Sequence, residues 1–253
     1  MATYKKRGFK NKALSSKADA LEKKSTTANV FNTLDDGSSS AQLFFKKNQK
    51  IVFISVGLIV TIILGYIYYN TNFVIPNEKN AFDKMYFAQK KFDEAILINS
   101  DSLYDVALNG DDINMGMLDI IEEYDGTNAS NLAHYYSGMM YLKMNDYQNS
   151  IKYLSEFSSE DILLAPLAIG SIGDSFAELN QYDDALDYYV EASKIENNYT
   201  SPIYLFKAGT VAMKLNEFKL AEDYFRIIKL DYPKSPEAQN IDAFISKAIA
   251  SNQ

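Results

Sequence analysis

The sequence predicts an all-α protein with a single N-terminal transmembrane helix, followed by an α-solenoid of helix-turn-helix hairpins that ends in a C-terminal capping helix. Two observations lead to this prediction. Residues 51–69 contain no charged side chain, and residues 130–233 contain three segments with the same residue types at corresponding places. The 253-residue chain is also 47% hydrophobic, which suffices for a packed core and argues against a largely disordered protein.

Residues 1–45 form a basic N-terminal tail. Residues 1–50 contain 11 Lys or Arg against 4 Asp or Glu, and the tail has few large apolar side chains. A segment of this composition cannot bury a core, so we expect 1–45 to be largely disordered. The positive charges would attract the tail to an anionic membrane surface. The alternative is that the tail only determines membrane topology.

Residues 46–75 are predicted to be a transmembrane helix with its flanks. The stretch from Ile51 to Tyr69 would form a helix of roughly 28 Å, close to the ~30 Å thickness of a hydrocarbon core. Tyr66, Tyr68 and Tyr69 supply an aromatic belt at one end, and lysines flank the other. A cleaved signal peptide is disfavoured, because 50 residues precede the stretch and large aromatic side chains follow it.

The distribution of charge predicts the orientation in the membrane. Lys and Arg concentrate before residue 51, whereas residues 70–253 contain 14 basic and 29 acidic side chains. Basic flanks stay on the cytoplasmic side. We therefore expect a single-pass protein with a cytoplasmic N-terminus and a translocated C-terminal domain, 76–253.

Three repeats are predicted at 130–161, 166–197 and 202–233. Gly138, Gly173 and Gly209 correspond, at spacings of 35 and 36 residues. The same register aligns Tyr147, Tyr182 and Phe218; Ser150, Ala185 and Ala221; and Leu154, Tyr189 and Phe225. Asn145, Asn180 and Asn216 stand at the predicted turns, because Asn tolerates the left-handed conformation. Each repeat therefore predicts two helices, which must stack on neighbouring hairpins to bury their apolar faces.

Two segments flank the repeats. Residues 77–128 predict a degenerate first hairpin, with Phe82, Met85, Tyr86 and Phe92 at helical spacing. Residues 235–251 predict the capping helix, in which Ser235 is the N-cap, Pro236 follows it and Glu237 lies in the first turn.

The repeats resemble tetratricopeptide repeats over 130–233. The residues that carry this resemblance are Gly138 with Tyr141, Gly173 with Phe176, Ala185 with Tyr189, Gly209, Ala221 with Phe225, and Pro233. Two positions depart from the pattern. Ser150 replaces the small Ala, and Ala212 replaces an aromatic side chain of the first helix; both keep a packing role.

The anchor and repeat layout also resembles the membrane-anchored ancillary subunit of the bacterial SecYEG translocon (the YfgM-like family) over roughly 40–250. This resemblance implies a bacterial inner-membrane protein whose C-terminal domain is periplasmic. Its partners would be translocon subunits, a periplasmic chaperone or exported polypeptides. The alternative is a structural adaptor for another envelope machine, in cell-division coordination or outer-membrane assembly.

The sequence contains no constellation that indicates an enzyme. There is no Cys and one His, which excludes thiolate and multi-His metal sites. No glycine-rich phosphate loop occurs, and the net charge of −8 argues against a nucleic-acid partner. We expect no catalytic residue, no metal and no cofactor.

In tetratricopeptide arrays the first helix of each hairpin lines a concave groove, and this resemblance implies a protein-binding surface here. It comprises Tyr135, Met139, Leu142, Lys143, Asp174, Phe206, Met213 and Lys214, with Leu167, Glu178 and Ile203 at equivalent positions. The set of Lys and Asn that clamps chaperone C-termini is not matched, because Tyr135 and Met139 occupy its places. The alternative for Met139, Met140 and Met144 is packing between hairpins.

Overall fold

The computed structural model describes residues 26–252, with side chains from Leu43 onward. Within these residues the structure is helical and contains no strand, which confirms the all-α class. The chain divides between Asn70 and Thr71 into two compact units.

The first unit contains one long helix, α1 (Thr26–Tyr69), with a non-helical backbone at Asn48, where φ is −112° and ψ is 21°. From Ile51 to Tyr69 its large apolar side chains are exposed. The helix is long and apolar enough to span a membrane, which makes it a candidate membrane span. It begins inside the segment 1–45 for which the sequence predicts disorder; residues 1–25 of that segment lie outside the described residues.

A short π-helix (Asn70–Val74) is followed by ten α-helices of the second unit. Their bounds are α2 Ile75–Ile98, α3 Asp101–Asn109, α4 Met117–Glu123, α5 Asn128–Lys143, α6 Tyr147–Glu156, α7 Leu164–Glu178, α8 Tyr182–Ser193, α9 Thr200–Lys214, α10 Phe218–Asp231 and α11 Ile241–Ser251. The predicted repeats correspond to the hairpins α5–α6, α7–α8 and α9–α10.

The segment 77–128 forms three helices, α2 to α4, where the sequence predicts one degenerate hairpin. The chain breaks after α2 because Asn99 adopts a left-handed conformation, with φ of 50°. Glu78 of α2 connects this segment to α5. Its carboxylate accepts hydrogen bonds from the backbone N–H of Asn128 (3.0 Å) and Ala129 (3.2 Å), and so caps the N-terminus of α5.

An asparagine makes the turn in each hairpin, as the sequence predicts. Asn145, Asn180 and Asn216 have φ of 61°, 59° and 63°. In the first two hairpins the hydroxyl of the tyrosine two residues later, Tyr147 or Tyr182, donates to the asparagine Oδ1 at 3.0 Å and 2.8 Å. This side-chain bond fixes a backbone conformation that most residues avoid.

A glycine in the first helix of each hairpin allows close packing of the second. Gly138 lies against Leu154, Gly173 against the ring of Tyr189, and Gly209 against the ring of Phe225. These are the residues that the repeat register aligns. The contacts give the predicted register a physical reason, because a Cβ at any of the three glycines would collide with the partner side chain.

The core of the array has three parts. A large N-terminal cluster is built from α2 to α5 and includes Tyr104 and Met140, and a large C-terminal cluster is built from α8 to α11 and includes Tyr189 and Phe225. Between them lies a small junction cluster whose buried residues are Leu154, Ala168 and Ile172. The junction also buries a polar pair, since Ser175 Oγ donates to Ser150 Oγ at 3.0 Å.

The capping segment begins later than predicted. Ser235 does act as an N-cap, and its hydroxyl accepts from the N–H of Ala238 at 3.2 Å, but the helix that it caps is a short 3₁₀ turn, Pro236–Ala238. Asn240 then adopts a left-handed conformation with φ of 62°, so α11 starts at Ile241. Its buried face, Ile241, Ile245 and Ala248, completes the C-terminal cluster.

Candidate protein-binding surface

The eight predicted groove residues lie on α5, α7 and α9, the first helices of the three hairpins. The structure separates them into three groups. Leu142, Lys143 and Asp174 line one cavity. Met213 and Lys214 line a second cavity. Tyr135, Met139 and Phe206 pack into the core between helices.

The first cavity, which we call the polar cavity, has a volume of about 470 Å³. Glu178, predicted at an equivalent position, also lines it, and the remaining walls are formed by Asn145, Tyr147, Ala177, Tyr189 and Lys207. Exposed Lys143 and Glu178 bring charges of both signs to its edge. A cavity of this character is suited to hydrogen-bonding partners such as a peptide backbone or polar side chains.

An ion pair between α7 and α9 forms the wall of the polar cavity. Lys207 Nζ donates to both carboxylate oxygens of Asp174, at 2.6 Å and 2.8 Å, and the two side chains are 35% and 30% exposed. The hydroxyl of Tyr189 donates to the same carboxylate at 2.7 Å. Asp174 is therefore held by two donors and still faces solvent, so it can accept a further hydrogen bond from a bound segment.

Two stacked tyrosine rings support this ion pair. The rings of Tyr189 and Tyr204 are 6.2 Å apart at an interplanar angle of 18°, and Lys207 Nζ lies 5.6 Å and 5.5 Å from their centroids. Burial raises the pKa of both phenols above their usual range, and the negative charge of Asp174 raises the pKa of each further. Both tyrosines therefore stay neutral, and Tyr189 remains a hydrogen-bond donor.

The second cavity, which we call the apolar cavity, lies between α9, α10 and α11 and has a volume of about 400 Å³. Its lining residues are Thr210, Met213, Lys214, Phe218, Phe225, Phe244, Lys247 and Ser251. Three of these residues are phenylalanines, and Lys214 and Lys247 belong to the same lining. This cavity is suited to an apolar side chain.

The remaining three predicted residues take part in packing. The ring of Tyr135 lies 5.2 Å from that of Phe157 and 5.8 Å from that of Tyr136. Met139 packs against both the N-terminal and the junction cluster. The ring of Phe206 lies 4.9 Å from that of Phe244. Truncation of these side chains would thus perturb the fold as well as a bound partner, so they are poor positions for a test of binding.

The sequence analysis missed Lys207, Tyr189 and Lys247 as cavity residues. Tyr189 has a packing role in the repeat pattern, and its hydroxyl bond to Asp174 follows from the approach of α7 to α8. A signal for Lys207 was present in the sequence. Asp174 and Lys207 carry opposite charges, and each lies within two residues of the aligned glycine, Gly173 or Gly209, of its own repeat. Stacking those helices brings the two charges together.

The comparisons with known proteins agree with this architecture. A family model, described as the tetratricopeptide repeat, matches residues 204–235, which include most of α9 and all of α10. No curated protein matches the chain. The match and the stacked hairpins together support a tetratricopeptide repeat protein, whose α-solenoid typically binds other proteins.

Proposed function

We propose that this protein is a membrane-anchored scaffold of the bacterial cell envelope that binds other proteins through the first helices of its repeats. The helix from Ile51 to Tyr69 anchors it in the inner membrane, with the N-terminus in the cytoplasm and the array in the periplasm. The exposed apolar surface of this segment supports the anchor. The basic residues that precede it support the orientation.

The observation that carries the binding role is the pair of cavities on α5, α7 and α9. Five of the eight predicted groove residues line them: Leu142, Lys143, Asp174, Met213 and Lys214. One cavity offers hydrogen-bonding groups and the other aromatic walls. A client segment that contacts both would therefore meet polar and apolar anchor points, as peptide-binding surfaces require.

The partner that we propose is the Sec protein-export translocon, with the protein as an ancillary subunit that engages a chaperone or exported chains. The support is the resemblance in anchor position and repeat layout, together with a solvent-exposed binding surface on the array. The alternative is an adaptor for another envelope machine, in cell-division coordination or outer-membrane assembly.

Site-specific photocrosslinking in cells tests both levels of the proposal. A photoreactive amino acid is placed at Lys143 or Lys214, which are exposed at the cavities. The matched control position is Asp187, which is exposed on α8 and lines neither cavity. We expect crosslinks from the two cavity positions to translocon subunits, exported chains or a chaperone, and none of these from Asp187.

Three results would contradict the proposal. Crosslinks to a division or outer-membrane machine would replace the translocon by the alternative partner. A second result is a partner that is lost when 51–69 is replaced by an unrelated anchor and that never crosslinks to the cavity positions. That result would place recognition in the membrane helix. A reporter fused at the C-terminus should be active only outside the cytoplasm, and cytoplasmic activity would overturn the topology.

A further inference from the structure

The apolar cavity has features that define its ligand more closely than the general binding role does. We infer that it binds the aromatic side chain of a client segment in which an acidic residue, Asp or Glu, stands next to that aromatic residue. This inference rests on the proposed function, because it names the segment that one part of the binding surface recognises.

The walls of the cavity select an aromatic ring. Phe225 is fully buried below it, and the ring of Phe244 lies 5.5 Å from that of Phe225 at an interplanar angle of 51°. Phe218 and the thioether of Met213 complete the apolar lining. Phenylalanine and methionine side chains favour an inserted ring over an aliphatic chain, because aromatic–aromatic and sulfur–aromatic contacts add to the burial of apolar area.

The size of the cavity agrees with this occupant. A dry apolar cavity of ~150 Å³ in another protein is known to hold a benzene molecule. The apolar cavity measures about 400 Å³, so a phenyl ring enters with space for the adjoining backbone. It is too small for a folded element such as a helix, whose diameter with side chains is ~10–12 Å.

Two lysines of the lining select a negative charge beside the ring. Lys214 Nζ lies 3.4 Å from the hydroxyl of Tyr182 and 4.5 Å from the centroid of its ring. Lys247 comes from α11. In the described part of the chain neither forms an ion pair, although residues 70–253 contain 29 acidic side chains. A cavity lining that contains two lysines and no acidic residue is complementary to an acidic residue of the ligand.

The polar cavity is a contrasting environment and does not suit this ligand. Lys207 is already paired with Asp174, and the second cation, Lys143, shares the lining with Glu178. An acidic residue there would meet two carboxylates. The acidic–aromatic pair is therefore assigned to the C-terminal end of the array, where α9, α10 and α11 meet.

Peptide titrations of the full-length protein in detergent micelles test the inference. The probe is fluorescein-labelled Gly-Ser-Glu-Phe-Ser-Gly with an amidated C-terminus, and binding is followed by fluorescence anisotropy at low salt. Two further peptides replace Glu by Gln or Phe by Ala. We expect a loss of about fivefold in affinity without the charge and of about tenfold or more without the ring.

Three variants show where the probe binds. Lys214→Gln combined with Lys247→Gln should abolish the preference for Glu over Gln while Gln-Phe binding persists. Thr210→Phe, at an exposed position that lines the cavity, should block both peptides. Lys194→Gln, at an exposed lysine outside the cavity, should change nothing. Thermal unfolding of each variant checks that the fold is intact.

The inference is overturned if the Glu-Phe peptide fails to bind at about 1 mM; a dissociation constant of that size corresponds to a binding free energy of ~4 kcal/mol in magnitude. It is also overturned if the preference for Glu survives in the double lysine variant, or if Thr210→Phe leaves binding unchanged. These failures differ from a failure of the proposed function. If clients crosslink at residue 143 and the double lysine variant does not change peptide binding, the binding role remains and only the acidic–aromatic ligand is rejected.

Discussion

The ring of Phe225 occupies the space next to Gly209, with its Cε1 2.5 Å from the position that a Cβ on residue 209 would take. The glycine thus sets the distance between α9 and α10. We expect Gly209→Ala to destabilise the array by about 1–3 kcal/mol, because the ring must move within a packed core. Thermal unfolding followed by circular dichroism measures the loss.

A double mutant isolates this contact. Alanine lacks the ring atoms that crowd residue 209, so in a Phe225→Ala background Gly209→Ala should cost clearly less than in the parent chain. Equal costs in the two backgrounds would show that the ring is not the reason for the glycine.

The turn asparagines give a second prediction, with a control built into the repeats. Asn180 and Asn216 both have positive φ, but only Asn180 receives a hydrogen bond, from Tyr182; residue 218 is a phenylalanine. Gly adopts this conformation freely. We expect Asn216→Gly to be close to neutral and Asn180→Gly to cost about 0.5–1.5 kcal/mol for the lost bond.

Valine at either turn position should cost about 1–2 kcal/mol or more, because a β-branched residue avoids the left-handed region. Equilibrium denaturation of the four variants gives the comparison. A valine variant as stable as its glycine counterpart would mean that the turn does not need positive φ.

The Asp174–Lys207 ion pair gives a third prediction. Because both side chains are about one-third exposed, their interaction should stabilise the array by only ~0.5–1 kcal/mol. A double-mutant cycle with Asp174→Asn and Lys207→Met measures this coupling, which should decrease as salt is added. Strictly additive effects of the two substitutions would contradict an energetic role for the pair.

A fourth prediction concerns pH. Partial burial lowers the pKa of His134 below its usual 6.5. The charges of Glu156 and Asp125 raise this pKa by less than burial lowers it, and the charge of Lys152 lowers it further. Its Nδ1 is buried and has no hydrogen-bond partner among the described residues, and its ring packs 6.0 Å from that of Tyr153. The unfolded chain therefore binds the histidine proton more tightly than the folded one does.

The sign of the effect follows from that difference. The contribution of His134 to stability is complete above pH 6.5 and is lost as the pH falls through 6.5 towards the lower folded-state pKa. Melting temperatures between pH 7.5 and pH 5 should fall less for His134→Phe than for the parent chain. Parallel curves for the two proteins would show that His134 does not account for the slope.

Much of the array could be predicted from the sequence because its rules are local. Gly173 recurs one repeat away in each direction, as Gly138 and Gly209, and Asn180 marks a turn that Asn145 and Asn216 repeat, so the spacing alone gives the register. The later start of α11 depends on the left-handed conformation of Asn240. The N-cap at Ser235 predicts one continuous helix over 235–251.

The candidate site was only partly predictable, because side-chain contacts between separate helices decide it. Tyr135 has the position of a groove residue, yet Phe157 lies close enough to draw its ring into the packing. The pairing of Lys207 with Asp174 joins residues 33 positions apart. Single-helix periodicity describes which side of a helix a residue occupies, and it does not describe what the adjacent helix places there.

The small junction cluster has a consequence for how the array comes apart. Leu154, Ala168 and Ile172 are its only buried members within the described residues, and the neighbouring Ser150–Ser175 bond is the polar part of the same seam. The junction thus buries fewer apolar side chains than either large cluster. Backbone amides should therefore exchange with deuterium in two blocks, α2–α5 and α8–α11, and the seam between them should open at a lower free energy than either block.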